Sequence, residues 1–180
     1  MRQFARANLC VGMKSIVLLF WRLCLLQTGP DAVPASNVLT AVVVCVNAAI
    51  NISVQLLLMT DSANLLRATS LSFVGLACTA ALVAGSMRLM GRQARTQQTL
   101  TAIFGTDVIT TIFTSLAFVA SGFAGQTIAL FGITLLTLWS LMIFGFILHR
   151  ALEIRLGFGV AMALFVVIFS VAVTQTAVSS

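Results

Sequence analysis

Five long apolar segments, separated by short polar breaks, dominate this 180-residue chain. Each has about 20 mainly apolar residues, the length that a helix needs to cross the hydrocarbon core of a bilayer. Backbone N–H and C=O groups in lipid must be paired within the segment, so each segment is predicted to be a helix. The fold class is therefore all-α, a polytopic transmembrane bundle. The predicted spans are residues 38–59, 68–87, 100–119, 127–148 and 156–174.

The composition agrees with lipid as the main solvent of the folded chain. Hydrophobic residues make up 60% of the sequence and charged residues only 8%, whereas a soluble domain has about 25% charged residues. A water-facing globule would lack the polar side chains to cover its surface. The net charge of +6 does not indicate a nucleic-acid partner, because the cations lie between the apolar runs rather than in one basic patch.

The first 35 residues are predicted to be a separate segment, ahead of a five-helix transmembrane domain over residues 36–180. Its apolar residues are interrupted by the cations Arg2, Arg6, Lys14 and Arg22. Arg22 would lie inside the bilayer if this segment crossed it. We therefore expect an amphipathic helix that lies in the membrane interface, with its cations near headgroups; a sixth span is the alternative. The turn at Pro30 ends this helix, and Ser36 or Asn37 can cap the first span.

Lys and Arg residues are distributed very unevenly between the two sides of the predicted bundle. With an inside N-terminus, nine of the ten lie in inside segments, and only Arg67 lies outside. The positive-inside rule then predicts a cytoplasmic N-terminus and an outside C-terminus, and a short, arginine-rich chain of this kind fits a bacterial inner membrane. Anionic lipid headgroups are the predicted partners of this basic inner face, with an acidic cytoplasmic protein as the alternative. Its residues are Lys14, Arg22, Arg88, Arg92, Arg95, Arg150 and Arg155.

Asp107 is the one acid inside a predicted span, and polar side chains accompany it. On the first span, Asn47, Asn51 and Gln55 are each four residues apart, which stacks three amides on one helix face. The first and third spans run in the same direction, and Asn47 lies about as deep in its helix as Asp107 does. These side chains are therefore predicted to meet. The predicted intramembrane polar cluster comprises Asn47, Asn51, Thr79, Asp107, Thr110, Thr111 and Ser140.

Such a cluster has two main interpretations. Ser, Thr and Asn side chains bond helices to one another in membranes, for about 0.6 kcal/mol each and up to ~2. An intramembrane acid is also a common feature of proton and solute pathways. We favour bonding between helices, keep a pathway as the alternative, and count a docking point for another membrane protein as the third reading.

Small residues four apart predict close helix packing on two of the spans. The second span carries Ala77, Ala81 and Gly85, and the fifth carries Gly159 and Ala163. We expect both seams to face other helices of this chain in preference to another protein.

Nothing in the sequence indicates catalytic, metal-binding or cofactor chemistry. The four cysteines, Cys10, Cys24, Cys45 and Cys78, form no CxxC pair, and His149 is the only histidine. We interpret the cysteines as small apolar packing residues and His149 as a solvated residue at the membrane border. With four acids in the whole chain, hydrolytic and metal-dependent activities are not expected.

Three stretches carry a resemblance to a known family. They are residues 21–26, Trp-Arg-Leu-Cys-Leu-Leu, before a proline-containing turn; residues 98–105, at the start of the third span; and residues 138–141 with 149–152, around the end of the fourth. Together with the five-span layout, they resemble the Yip1-like family of small membrane proteins. That resemblance implies a cytoplasmic N-terminal segment, five packed helices and a C-terminus on the opposite side. It implies no catalytic residues.

These features predict a non-enzymatic integral membrane protein that acts as a scaffold, an assembly factor or an accessory subunit of a membrane complex. The alternative is a small transporter or channel component that uses Asp107. A membrane-surface sensor using the basic inner face is a third hypothesis. A sealed bundle with Asp107 bonded to side chains favours the first hypothesis, and a cavity that reaches Asp107 from one side favours the second.

Overall fold

The computed structural model describes residues 15–58, 65–124 and 126–179. Within these ranges the chain forms six α-helices and no strand. Short 3-10 turns at Pro30–Ala32 and Gln93–Arg95 precede α2 and α4. The helices are α1 (Ser15–Cys24), α2 (Asn37–Leu58), α3 (Leu65–Leu89), α4 (Thr96–Ala124), α5 (Gln126–Leu152) and α6 (Leu156–Ser179).

Helices α2 to α6 are each long and apolar enough to cross a membrane. Their candidate spans are Asn37–Leu56, Ser72–Leu89, Gln93–Ala120, Leu130–Leu152 and Leu156–Thr176. This result confirms the predicted all-α, five-span architecture, and the chain is an integral membrane protein. The third span begins earlier than predicted, because the Thr and Gln residues before Leu100 continue the helix beyond its apolar part.

The helices pack in a closed arrangement around a common centre. α4 packs against α2 and α5, α6 packs against α5 and α3, and α2 packs against α3. α2, α4 and α6 begin at the same end of the bundle, where α3 and α5 end. We call this the basic end, because it carries Arg88, Arg92, Arg95, Arg150 and Arg155. The opposite end, where α2 and α6 end and α3 begins, is the far end.

Three helices at the basic end are followed by the same backbone conformation, a residue with positive φ. Leu26, Gly91 and Glu153 have φ values of 60°, 70° and 55°, and each follows the end of a helix. In each case the next residue's N–H bonds to the carbonyl five residues earlier, which satisfies a helix-terminal carbonyl. At the start of α2, Ser36 acts as the predicted cap, since its Oγ accepts from the Leu39 N–H at 3.4 Å.

Packing is much tighter at the basic end than at the far end. Leu23, Val83, Met87, Ile147 and Leu148 have no exposed surface, and they belong to one hydrophobic core that joins α1, α3 and α5. At mid-depth, Ile103, Phe104 and Ile143 close this core. The centre of the bundle is therefore sealed in its basic half, and a separate groove of about 710 Å³ in that half is lined by Met90, residues 153–155 and four residues of α6.

The backbones of α5 and α6 approach each other very closely. A Cβ atom added at Gly159 would lie 2.5 Å from the Gly145 carbonyl oxygen, and one added at Gly145 would lie 2.7 Å from the Val160 Cα. Ala163, one turn further along α6, is completely buried. The predicted seam of Gly159 and Ala163 therefore packs inside the chain, because only small residues allow the two backbones to approach this closely.

The second predicted seam does not pack inside the chain. Ala77 and Ala81 of α3 are exposed, and a Cβ atom added at Gly85 would meet nothing within 4 Å. The expectation that this seam is internal was wrong. In lipid, small residues are compatible with either face of a helix, because no difference in polarity separates the inward face from the outward one.

Helix α1 packs along the bundle rather than apart from it. Phe20, Leu23 and Cys24 are buried. The Phe20 ring lies over Gly105 of α4, where an added Cβ atom would be 2.2 Å from Phe20 Cε1. The Trp21 ring lies 6.0 Å from that of Phe113, which is about 25 Å along α4 from its first residue. The helix is thus present as predicted, and its placement in the headgroup layer stays a prediction.

Candidate functional site

The predicted contact between the first and third spans is present, and it centres on Asn47. Asn47 is completely buried. Its Nδ2 donates to Asp107 Oδ2 at 2.8 Å and to the Phe104 carbonyl oxygen at 3.0 Å. Asn51, one turn further, donates from its own Nδ2 to the backbone oxygen and to the Oδ1 of Asn47, both at 3.0 Å. The two asparagines and Asp107 therefore form one hydrogen-bonded chain across α2 and α4.

A ladder of polar contacts fixes the depth of α2 against α4. Near the basic end, Gln97 donates to Asn37 Oδ1, and the hydroxyls of Thr40 and Thr101 are 2.7 Å apart. The bond between Asn47 and Asp107 continues the same register, because partners in the two parallel helices differ by 60 or 61 positions. Comparable depth in two helices of the same direction is therefore what brings Asp107 to Asn47.

A cavity of about 570 Å³ lies above this network, in the half of the bundle toward the far end. All five long helices contribute to its lining. Its floor includes Asp107 and Phe104, and its walls extend to Ser72 near the start of α3 and to Gln175 near the end of α6. Ile103, Phe104 and Ile143, the mid-depth residues that close the apolar core of the basic half, also line it. We call this space the central cavity.

A second, smaller cavity of about 280 Å³ also reaches Asp107. It runs along α4 on the side that faces α5. Thr110, Thr111, Thr114 and Ser115 supply its hydroxyl groups, and Ile133 faces them from α5. Asp107 is half-buried because it lines both cavities while its Oδ2 is bonded to Asn47.

The other residues of the predicted cluster separate between these spaces. Thr110 and Ser140 line both cavities, Thr79 lines the central cavity, and Thr111 lines the smaller one. Thr79 does not reach Asp107; its hydroxyl lies 3.2 Å from that of Ser170 on α6. The structure therefore gathers the cluster around the central cavity without joining all of it by hydrogen bonds.

Several cavity-lining polar residues were not in the predicted cluster. Ser72, Thr137, Ser170 and Thr174 all face the central cavity. Thr174 lies four residues after Ser170, and a search for polar side chains at helical spacing on the last span would have found this pair. Ser72 and Thr137 have other hydroxyl residues close by in the sequence, such as Ser70 and Thr134, and the sequence does not show which of these face the cavity and which face lipid.

The basic inner face includes an ion-pair cluster that ties three segments together. Arg92 bonds to Glu153, and Arg95 Nη1 lies 3.2 Å from Glu153 Oε1 and 3.4 Å from Asp31 Oδ1. This cluster joins the turn before α2, the α3–α4 connection and the α5–α6 connection. The hydrogen bond from Arg92 holds the pKa of Glu153 below its ordinary value, and the positive charges of Arg92 and Arg95 act in the same direction.

The other cations of this face have different surroundings. Arg22, Arg88, Arg150 and Arg155 are exposed, and the Arg150 guanidinium lies 5.7 Å from the centre of the Phe146 ring. Lys14 lies outside the described residues. His149 was interpreted as a solvated border residue, but its Nδ1 contacts the Ile154 carbonyl oxygen and its ring is half-buried. His149 therefore ties the end of α5 to the connection that follows it.

The cysteines within the described residues are free and do not cluster. Cys24 is buried, Cys78 is half-buried, and Cys45 is exposed on α2. The interpretation as packing residues therefore fits Cys24 and not Cys45. Across residues 15–58, 65–124 and 126–179 no group of three or more His, Cys, Asp and Glu side chains is placed to hold a metal ion.

Comparison with known proteins adds no relative to this description. No family model matches the chain, and neither a curated protein nor a solved structure matches it. The resemblance to the Yip1-like family therefore stays a prediction.

Proposed function

We propose that this chain is a non-enzymatic membrane protein that binds a small polar solute in its central cavity, as a transporter or as a component of a channel. The observation that carries the proposal is the cavity of about 570 Å³ that reaches Asp107 at mid-depth. Its volume is within the range of about 300–1,000 Å³ typical of small-molecule sites. An intramembrane acid that faces such a space is a functional-site hypothesis by default.

The asymmetry of the bundle supports access from one side. Ile103, Phe104 and Ile143 close the bundle toward the basic end, whereas the cavity walls extend to the far end at Gln175. We propose that the basic end faces the cytoplasm of a bacterial cell and that the far end faces outward across the inner membrane. The distribution of Lys and Arg residues supports that orientation. A solute would then enter from outside and stop at Asp107.

Thiol labelling from outside the cell tests whether water reaches the cavity. In a variant without native cysteines, single cysteines replace Thr174 near the mouth and Ser140 near Asp107. A charged, membrane-impermeant thiol reagent is expected to label both positions in intact cells. Ile168→Cys is the matched lipid-facing control on α6, since Ile168 is 60% exposed and lines neither cavity. Ile147→Cys, in the sealed half, controls for leakage of the reagent.

One outcome of this labelling experiment would contradict the proposal that a solute enters the central cavity. If Ser140→Cys reacts no faster than Ile168→Cys and Ile147→Cys, the central cavity is closed to water. The bonded network of Asn47 and Asp107 would then act only to hold α2 against α4.

The outward seam of α3 favours a second candidate function, as a scaffold, an assembly factor or an accessory subunit. Ala77 and Ala81 are exposed, and Gly85 has open space around its Cα. Small residues at this spacing allow a helix of another membrane protein to approach closely. Affinity purification from native membranes in mild detergent should then recover a partner that is lost from the Ala77→Leu, Ala81→Leu double variant. If the parent protein and the double variant recover the same set of proteins, this seam does not bind a partner.

A further inference from the structure

Several hydroxyl groups that line the central cavity already use their own hydrogens within the protein. Thr110 Oγ1 donates to the Asp107 carbonyl oxygen at 3.1 Å, and Ser140 Oγ donates to the Thr137 carbonyl oxygen at 2.8 Å. Thr174 Oγ1 donates to the Ser170 carbonyl oxygen at 2.6 Å. A hydroxyl oxygen that donates its one hydrogen can still accept. These groups therefore offer acceptors to the cavity.

The amide side chains on α2 have the same bias. Both contacts made by Asn51 Nδ2 go to acceptors of Asn47. Gln55 Nε2 donates to Ser72 Oγ at 3.0 Å, while Gln55 Oε1 is buried and accepts from no group among the described residues. A buried acceptor without a donor is unfavourable. Gln55 therefore lacks the donor that a bound molecule would supply.

The charge inside the cavity is also one-sided. Among the described residues that line it, Asp107 is the only ionisable one, and they include no Lys, Arg or His. A carboxylate in a medium of low dielectric constant is stabilised by a nearby positive charge. Between the polar groups the walls are apolar, with Leu76, Phe144, Leu164 and Val171 among them. The cavity thus combines one carboxyl group with neutral acceptors and apolar walls.

We propose that the central cavity binds a small organic ammonium ion. Its cationic N–H donors lie at Asp107, and its hydrocarbon part lies against α5 and α6. Gln55 is eight residues beyond Asn47, or about 12 Å nearer to the far end, and it supplies an acceptor along the entry route. This inference rests on the proposed function, since it specifies the class of solute for the same cavity.

The spread of the acceptors argues against a bare metal ion as the ligand. Na⁺, K⁺ and divalent cations need several oxygen ligands that converge on one point. Here the acceptors belong to different helices, and those of Asn51 and Gln55 are one turn apart along α2. The described residues also contain no group of metal-binding side chains. An ammonium ion needs fewer contacts, and its apolar body fits the apolar walls.

Binding of butylammonium by the purified full-length protein in detergent tests this inference. The probes are butylammonium, the neutral analogue butanol, and sodium and potassium chloride at equal ionic strength. We expect butylammonium alone to raise the unfolding midpoint in a saturable way. Asp107→Asn should weaken its binding at least tenfold, whereas Gln55→Met should change the affinity little, because Gln55 lies about 12 Å from the level of Asp107. Thr134→Val removes an exposed hydroxyl of α5 outside both cavities, and it should bind like the parent protein.

Each other outcome overturns the inference. Equal effects of butylammonium and butanol would indicate a neutral solute, and equal effects of sodium or potassium would indicate a metal ion or a salt effect. Unchanged binding in Asp107→Asn would place the site elsewhere. Labelling of Ser140→Cys without any butylammonium binding would overturn the ammonium inference while the proposed function stands. A failure of labelling at Ser140→Cys would overturn the proposed function itself.

Discussion

Asp107 is held by a neighbour that is itself completely buried. Asn47 uses both hydrogens of its amide, one on Asp107 Oδ2 and one on the Phe104 carbonyl oxygen. Asn51 then bonds to Asn47 from the next turn. Because no cation of the described residues is close to this carboxyl group, its orientation depends on these amide contacts. Removal of the Asp107 acceptor leaves an amide hydrogen of Asn47 without its partner.

Two substitutions at Asp107 separate structure from binding. In Asp107→Asn the new amide oxygen can still accept from Asn47, so the unfolding midpoint in detergent should change little. In Asp107→Leu the buried amide loses an acceptor, and the loss of stability should be about 0.6 to 2 kcal/mol. Thr134→Val serves as the control for loss of a polar group without burial. If Asp107→Asn and Asp107→Leu lower the unfolding midpoint equally, the contact with Asn47 does not stabilise the fold.

Glu153 gives the basic end a predictable response to acid. Its pKa is lowered by the hydrogen bond from Arg92 and by the positive charges of Arg92 and Arg95. A carboxyl group with a lowered pKa in the folded state stabilises that state above its ordinary pKa of 4.5. The contribution is lost as the pH falls through the lower folded value. Unfolding midpoints between pH 7 and pH 3 should therefore fall less in Glu153→Gln than in the parent protein. If the unfolding midpoints of Glu153→Gln and of the parent protein fall in parallel with pH, Glu153 does not stabilise the folded state in this way.

At the scale of the elements, the crossing of α5 and α6 depends on glycine. Gly145 and Gly159 face each other so closely that an added Cβ atom at either would meet backbone atoms at 2.5–2.7 Å. Such a contact forces two helices apart along their full length, because neither side can relax by changing a rotamer. Interhelical contacts of α6 with α3 would shift with it, since α6 packs against both helices.

Two glycines of α6 form a matched pair for testing this crossing. Gly159→Ala should lower the unfolding midpoint clearly, because its methyl group overlaps the Gly145 carbonyl. Gly157→Ala meets nothing within 4 Å, and because Gly157 is the second residue of α6 the substitution should leave the midpoint nearly unchanged. Both variants are measured in the same detergent. Similar unfolding midpoints for Gly159→Ala and Gly157→Ala would show that α5 and α6 can move apart without loss of stability.

The five spans and the contact between Asn47 and Asp107 could be predicted from the sequence. Length and apolar character decide whether a helix crosses a bilayer, and depth in two parallel helices decides which polar groups can meet. The outward position of Ala77 and Ala81 could not be predicted, because lipid removes the polarity difference between helix faces. The central cavity depends on distances among five helices, and no periodicity in one helix encodes those distances.

At the scale of the whole molecule, the two halves of the bundle have different characters. The basic half has a continuous apolar core that includes α1 and an ion-pair cluster across its connections. The far half contains the two cavities and most of their hydroxyl groups. A sealed half that carries the ion pairs and a half that contains the proposed solute site suit a protein that receives its ligand from one side only.

The orientation of this asymmetric bundle is the last prediction. Nine of the ten Lys and Arg residues lie on the side of the N-terminus in the five-span arrangement, so the basic end should be cytoplasmic. Alkaline phosphatase, which is active only outside the cytoplasm, should be active when fused after Ser180. It should be inactive when fused in the connection at residues 90–95, where a fluorescent protein should instead be bright. A cysteine placed at position 3 should resist a membrane-impermeant reagent in intact cells, and labelling there would show that the N-terminal segment crosses the bilayer. Phosphatase activity at both fusion sites would refute the five-span topology, and reversed activities would place the far end and its central cavity on the cytoplasmic side.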